Sequence, residues 1–104
     1  MLDTLELRPE DRLLLLWIPA PVEVERLAAR IPRGLLVAMG TADEVRAARR
    51  AAAHLENVMF TAGDAGEIPW RDGMFTVAVG IGQATRELAR VVEPGGRVHL
   101  REGS

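Results

Sequence analysis

The chain has 104 residues, with 13 Lys and Arg against 15 Asp and Glu, a formal net charge of −2 and no cysteine. This length predicts a single domain, residues 1–104, whose core hides roughly 60 to 65% of the unfolded surface. A chain without cysteine has no disulfide, thiolate catalyst or cysteine-ligated zinc site, and scattered, nearly balanced charges argue against a nucleic-acid or anionic membrane partner.

The N-terminal half contains the longest apolar run, residues 13–18, which is far too short to cross a bilayer. The first residues carry acidic side chains where a signal peptide needs basic ones. These two features predict a soluble cytoplasmic protein.

The first predicted elements are a strand and a helix. Residues 5–12 are a lead-in, because Pro9 blocks a helix there, and the apolar run 13–17 between prolines predicts a buried strand. Pro21 suits the first turn of a helix. The apolar face of this helix follows at i, i+3, i+4 and i+7, namely Val24, Leu27, Ala28 and Ile31.

The next predicted elements are a strand over residues 35–39 and a helix that begins with a capping box, Thr41 and Glu44. The inner face of this helix is predicted to contain Val45, Ala48, Ala52 and Leu55.

Two further apolar runs, near residues 58–60 and 77–79, predict buried strands. A connecting helix follows, and Gly95-Gly96 predicts a turn into the last strand. This alternation of strands and helices predicts a parallel sheet with helices on both faces. The apolar face of the connecting helix is marked by Ala84, Leu88, Val91 and Val92.

The stretch from Leu55 to Gly96 contains Gly-Asp-Ala at 63–65, Ile-Pro-Trp at 68–70 and Glu-Leu-Ala-Arg-Val-Val-Glu-Pro-Gly-Gly at 87–96. In order and spacing it resembles the class I S-adenosylmethionine-dependent methyltransferases of the type 11-like group. The resemblance implies an α/β fold, a Rossmann-like three-layer sandwich with about five mainly parallel strands in the order 3-2-1-4-5. It also implies a shortened core, since the family normally uses a much longer chain.

The first strand of that family resembles Val-Leu-Asp-Leu-Gly-x-Gly-x-Gly, whose glycines let the backbone approach the cofactor. In the same register this chain places Trp17, Pro19 and Pro21 at the three glycine positions and Leu15 at the acidic one. Proline removes an amide donor, and an indole takes up the volume of a ligand. The sequence therefore predicts a loop that is closed to the cofactor.

The remaining cofactor determinants are mostly altered. Gly40 stands where a carboxylate should bind the ribose. Asp43 is a weak substitute, because the helix dipole already explains an acid there. Asp64 matches the residue that in the family commonly contacts the adenine amino group, and Ala65 follows it; the alternative for Asp64 is a turn after the third strand.

A fourth polar contact of the family, the Asp after a phenylalanine, is Thr76 here. The candidate cofactor-binding residues are thus Asp64, Ala65 and Asp43. No catalytic residue or metal ligand is identified. Trp70, His54 and His99 are interpreted as structural.

Two functions are compatible with these residues. The first is a degenerate methyltransferase-like domain without cofactor, which acts as an interaction or regulatory module. Its partner is a second copy, a homodimer favoured by an unpaired last strand, or another protein. The alternative is a minimal S-adenosylmethionine-dependent methyltransferase acting on a small acceptor.

Overall fold

The computed structural model describes residues 2–64, 66–82 and 86–101. Its sheet contains the strands β1 (Arg12–Leu15), β2 (Leu35–Gly40), β3 (Val58–Ala62), β4 (Phe75–Ile81) and β5 (Val92–Arg101). Neighbouring strands are parallel throughout, in the order β3-β2-β1-β4-β5, which confirms the predicted order. The helices are α1 (Pro21–Arg30), α2 (Ala42–Ala51) and α3 (Arg86–Val91).

Two apolar layers hold the helices to the sheet. Alternate residues of a strand point to opposite faces, so Leu13 and Leu15 join the buried residues of α1 and α2, whereas Leu14 joins those of α3. All three leucines are fully buried. The predicted three-layer arrangement is therefore present, with two helices on one face and one on the other.

The helix starts follow the sequence signals. Pro21 occupies the first turn of α1. At the start of α2, the Glu44 N–H donates to Thr41 Oγ1 at 3.2 Å and the Thr41 N–H donates to Glu44 Oε1 at 2.8 Å. This is the predicted capping box, and such caps contribute about 1 kcal/mol.

Three predicted boundaries are corrected. The chain bends at Leu16 and Trp17, so β1 ends at Leu15 rather than at Trp17. Val92 already belongs to β5, while Ala84 lies outside the described residues. The predicted Gly95-Gly96 turn is an irregularity within β5: Val92 pairs with Phe75 and Arg97 with Val77, so four residues oppose one.

The segment before β1 is more than a lead-in. A short 3₁₀ turn, Leu2–Thr4, precedes Leu5, and Leu2 and Leu5 are buried against the α1 and α2 layer. Arg30, at the end of α1, donates hydrogen bonds to the carbonyl oxygens of Leu2 and Leu5. The segment therefore completes the core on this face of the sheet.

Asp11 is the only buried charged residue in the described ranges, with 6% of its surface exposed. Its carboxylate accepts hydrogen bonds from the Arg8 N–H at 2.7 Å and from the Thr76 hydroxyl at 3.0 Å. A longer contact of 3.5 Å joins it to the Arg97 guanidinium. Asp11 thus links the N-terminal segment to β4 and β5.

No helix in the described part of the chain is long and apolar enough to cross a membrane.

Candidate functional site

Open parallel sheets bind ligands outside the carboxyl ends of their strands. In this structure those ends gather the loop of residues 16–20, Gly40, residues 63–64 and residues 80–82. We call this region the strand-end site. Among the positions that the sequence resemblance assigns to the cofactor, it contains Trp17, Pro19, Gly40 and Asp64.

Ile18 covers the position where the family places its ribose-binding acid. A Cβ atom on Gly40 would lie 2.9 Å from Ile18 Cδ1 and 3.2 Å from its Cγ1. Both distances are shorter than van der Waals contact allows without movement. Ile18 is itself half-buried and packs against the core between the sheet and α1 and α2. A carboxylate at position 40 therefore has no room while Ile18 keeps this position.

The Trp17 side chain also packs against the core. Its ring is half-buried against the same core layer, and the Arg101 guanidinium lies over it, 4.6 Å from the ring centroid. A cation over the face of an indole is an attractive geometry. The end of β5 therefore holds the loop that follows β1, and Pro19 in this loop is buried and has no N–H to offer a ligand.

The second candidate acid, Asp43, lies on the exposed surface of α2. Its carboxylate forms an ion pair with Arg46 one turn further along α2, and its side chain is 88% exposed. This pair lies on the outer surface of the helix, where such pairs contribute little to stability.

Asp64 lies in a turn after β3. Its Oδ1 accepts a hydrogen bond from the Gly66 N–H at 2.8 Å, and residue 64 forms a backbone bridge with Glu67. This is the turn geometry that the sequence offered as the alternative role. The residue is exposed at the strand-end site, so a ligand could still reach it. Ala65, the third candidate, lies outside the described residues.

Thr76, which replaces the fourth polar contact of the family, is not part of the strand-end site. It is the second residue of β4 and lies at the opposite, amino end of the sheet. Its hydroxyl donates to Asp11 and accepts from the Arg12 N–H at 3.0 Å. The hydroxyl at position 76 therefore has a structural role, because it joins β4 to Asp11 and Arg12.

The connection between β3 and β4 is fixed by Arg90 of α3. The guanidinium donates to the carbonyl oxygens of Trp70 at 2.8 Å and Ile68 at 2.9 Å. It also bonds to the carboxylates of Glu87 and Asp72, each at 2.7 Å. One side chain thus holds residues 68–72 of this connection to α3.

Trp70 in this connection packs as the sequence predicted. Its ring meets Phe75 edge to face, with centroids 5.8 Å apart, and lies against the α3 layer. The indole N–H is buried, with no hydrogen-bond partner among the described residues. The contacts of the ring support the structural interpretation over a role as a substrate platform.

The pKa of Glu87 is lowered from its ordinary 4.5 by the hydrogen bonds from Arg90 and from the Ile68 N–H. The pKa of Arg90 is raised by its bonds to Glu87 and Asp72. Both shifts favour the charged forms, so Arg90 and Glu87 remain ionised across the neutral range. We call Arg90 with its partners Glu87 and Asp72 the Arg90 clamp.

The depressed pKa of Glu87 predicts a specific acid sensitivity. The carboxylate stabilises the fold fully above the unfolded pKa of 4.5, and this contribution is lost as pH falls through the lower folded pKa. The difference in unfolding free energy between the wild type and Glu87→Gln should therefore shrink below about pH 4.5. Urea unfolding between about pH 7 and pH 3 measures it; curves that stay parallel throughout would contradict the role of this ion pair.

The two histidines have structural surroundings. His54 Nε2 lies 2.7 Å from Glu25 Oε1, so it connects the end of α2 to α1. His99 on β5 has a buried Nε2 to which no residue in the described part of the chain hydrogen bonds. Within the described ranges, no three His, Asp or Glu side chains come together as a metal site requires.

An apolar cavity of about 240 Å³ lies between α1 and α2, beside the strand-end site. Ile18, Pro19 and Phe60 line it together with the alanines of α2. Its volume is below the range of about 300 to 1,000 Å³ that ligand pockets usually have. Its one carboxylate, Glu44, already belongs to the capping box.

Sequence reasoning identified Trp17 and the prolines but missed Ile18 and Arg101. The contact of Ile18 with Gly40 joins the loop after β1 to the end of β2, and that of Arg101 with Trp17 joins the end of β5 to the same loop. No local pattern in the sequence carries either contact.

Known structures share this fold. The YcgJ protein from Bacillus subtilis aligns with a TM-score of 0.75 and 25% identity over 94% of this chain and 46% of its own. A SAM dependent methyltransferase from Aquifex aeolicus aligns with a TM-score of 0.76 and 20% identity, over 89% of this chain and 56% of its own. The [4+2]-cyclase SpnF aligns with a TM-score of 0.74 and 24% identity, over 90% of this chain and 39% of its own. No family model and no curated protein sequence matches the chain.

The chain has the core fold of the class I S-adenosylmethionine-dependent methyltransferases, and it spans from about two fifths to just over half of these three proteins. One of them is a cyclase, so this fold supports more than one reaction. Function must therefore be argued from the strand-end site.

Proposed function

We propose that this domain keeps the methyltransferase fold but not its cofactor, and that it acts as an interaction or regulatory module. Its partner is a second copy of the chain or another protein. The shortened, degenerate form of the fold is part of the same proposal.

One observation carries the proposal: Ile18 stands over Gly40 so closely that a Cβ atom there would lie 2.9 Å from Ile18 Cδ1, and any side chain at position 40 requires Ile18 to move. The contact between Trp17 and Arg101 supports it, because the loop is held in place from β5. Together with buried Pro19, these residues occupy the space and remove the amide donors that a nucleoside cofactor requires. The residues present do not fit S-adenosylmethionine.

The second candidate is a minimal methyltransferase acting on a small acceptor. It is favoured by the fold and by Asp64, which remains exposed at the end of β3. Methyl transfer to a good nucleophile can depend largely on positioning, so a missing general base does not oppose it. It requires the loop of residues 16–20 to move away from Gly40.

Calorimetric titration with S-adenosylmethionine and S-adenosylhomocysteine separates the two. We expect no binding heat up to about 1 mM ligand, the limit of measurable affinity in this setting. Binding in the micromolar range that Asp64→Ala weakens and the surface control Glu56→Ala leaves unchanged would overturn the proposal. A parallel titration of Asp43→Ala tests the second candidate acid.

A further inference from the structure

A polar cavity lies at the amino end of the sheet, where β1, β4 and β5 begin, opposite the strand-end site. Its volume is about 330 Å³, within the range of about 300 to 1,000 Å³ that ligand pockets usually have. Residues 94–96 of β5 line it together with two arginines, two carboxylates and one hydroxyl, namely Arg8, Arg97, Asp11, Glu93 and Thr76. We call it the amino-end cavity.

The irregular stretch of β5 forms one wall of this cavity. Residues 93–96 stand opposite Thr76 alone, so the strand leaves the regular ladder there. Gly95 has a φ of +84°, in the left-handed region that favours glycine. A Cβ atom on Gly96 would lie 2.5 Å from Val92 Cγ1 and 2.8 Å from the Thr76 carbonyl oxygen. The two glycines therefore allow the backbone to take this path.

The charged side chains of the amino-end cavity are incompletely paired. Arg97 lies no closer than 3.5 Å to either of its carboxylate partners, and Glu93 lies 3.5 Å from Arg12. Charge-assisted hydrogen bonds measure about 2.7 to 2.9 Å, and both ion pairs of the Arg90 clamp reach 2.7 Å. No described residue hydrogen bonds to the Arg8 guanidinium. Three charged groups thus keep hydrogen-bonding capacity for a ligand.

The signs of the charges restrict the class of ligand. Arg8 and Arg97 carry two positive charges and Asp11 and Glu93 two negative ones, so the formal charges of the lining cancel. A simple anion such as phosphate would lie near both carboxylates, and a polyamine near both arginines; like charges at short range repel. A small zwitterion avoids both conflicts, because its carboxylate accepts from a guanidinium while its ammonium group donates to a carboxylate.

We propose that the amino-end cavity binds a free α-amino acid. Arg8 and Arg97 donate to its carboxylate, and Glu93 accepts from its ammonium group. Asp11 already accepts from three donors and acts on the ligand only by positioning Arg97. Pro94 is the one apolar side chain that the described residues contribute to the lining, which favours a ligand with a small or polar side chain. The inference does not depend on the closed strand-end site, which lies at the other end of the sheet.

Calorimetric titration with glycine, L-serine and L-asparagine is the first test. At least one of these amino acids should bind with a Kd below about 1 mM. Its N-acetyl derivative lacks the ammonium group and its amide lacks the carboxylate, so each should bind at least about tenfold more weakly. No binding of any of the three at about 10 mM would overturn the inference. An N-acetyl derivative that binds as tightly as the amino acid would make the cavity an anion site and would also reject it.

Substitutions test whether the ligand occupies this cavity. Arg8→Gln and Glu93→Gln each remove one charge and should each weaken binding at least about tenfold. Arg8 is exposed and Glu93 half-buried, so neither substitution empties the core, and urea unfolding verifies that the fold is kept. Arg33→Gln and Glu10→Gln are the matched controls, because these residues form an exposed pair outside the cavity. Affinities that are equal in the wild type and in both cavity variants would refute the site.

Discussion

Replacing Gly40 with aspartate should destabilise the protein by about 1 to 3 kcal/mol, although it restores the acid that the family carries there. The new Cβ would lie 2.9 Å from Ile18 Cδ1 and 3.0 Å from Glu44 Oε1. The first contact is a steric overlap, and the second brings a like charge to the capping box of α2. Urea unfolding of the wild type and the variant measures the cost.

The same substitution in an Ile18→Ala background separates the causes. Removing the Cδ1 and Cγ1 atoms should reduce the penalty at position 40 by about 1 kcal/mol, a coupling typical of residues in contact. Gly40→Ala isolates the steric part, because it adds the Cβ without the charge. A penalty that is equal in both backgrounds would mean that Ile18 does not occupy the site, and the proposed function would lose its main support.

Asp11→Ala should reduce the unfolding free energy by about 2 to 4 kcal/mol. The substitution leaves the Thr76 hydroxyl and the Arg8 N–H without their buried acceptor. It also removes the carboxylate that Arg97 contacts. Arg8, Thr76 and Arg97 all lose their contact with this carboxylate, so the loss of unfolding free energy should exceed that of a single hydrogen bond.

Glu10→Ala is the matched control for Asp11. Glu10 precedes it in the sequence but forms an exposed pair with Arg33 at 3.6 Å. Such pairs contribute little, so we expect a change within about 0.5 kcal/mol. Equal effects of the two substitutions in thermal and urea unfolding would refute the anchoring role of Asp11.

Much of the fold was predictable from the chain. The faces of α1 and the start of α2 follow from apolar spacing and from the Thr41 and Glu44 pair, because helix periodicity and capping act over a few residues. The strand order came from the resemblance of residues 55–96 to methyltransferases. The strand ends were less predictable, since β1 stops where Leu16 and Trp17 bend toward the core.

The candidate site was predictable only in part. The sequence showed that Trp17, Pro19 and Gly40 depart from the family pattern, and it offered a turn as the alternative for Asp64. It did not show the position of Thr76 at the far end of the sheet, because that depends on where β4 begins. The Arg90 clamp was missed for a similar reason, as its partners lie up to 22 residues away.

The sequence by itself determined which donor and acceptor groups are missing at these positions, since proline has no N–H and glycine no carboxylate wherever they are placed. Only the tertiary structure decided what fills the vacant position. Ile18 reaches Gly40, and Arg101 reaches Trp17, because the parallel sheet brings the end of β1 beside the ends of β2 and β4, with β5 next to β4. These contacts depend on strand order and on the bend after Leu15, and neither is a property of neighbouring residues in the chain.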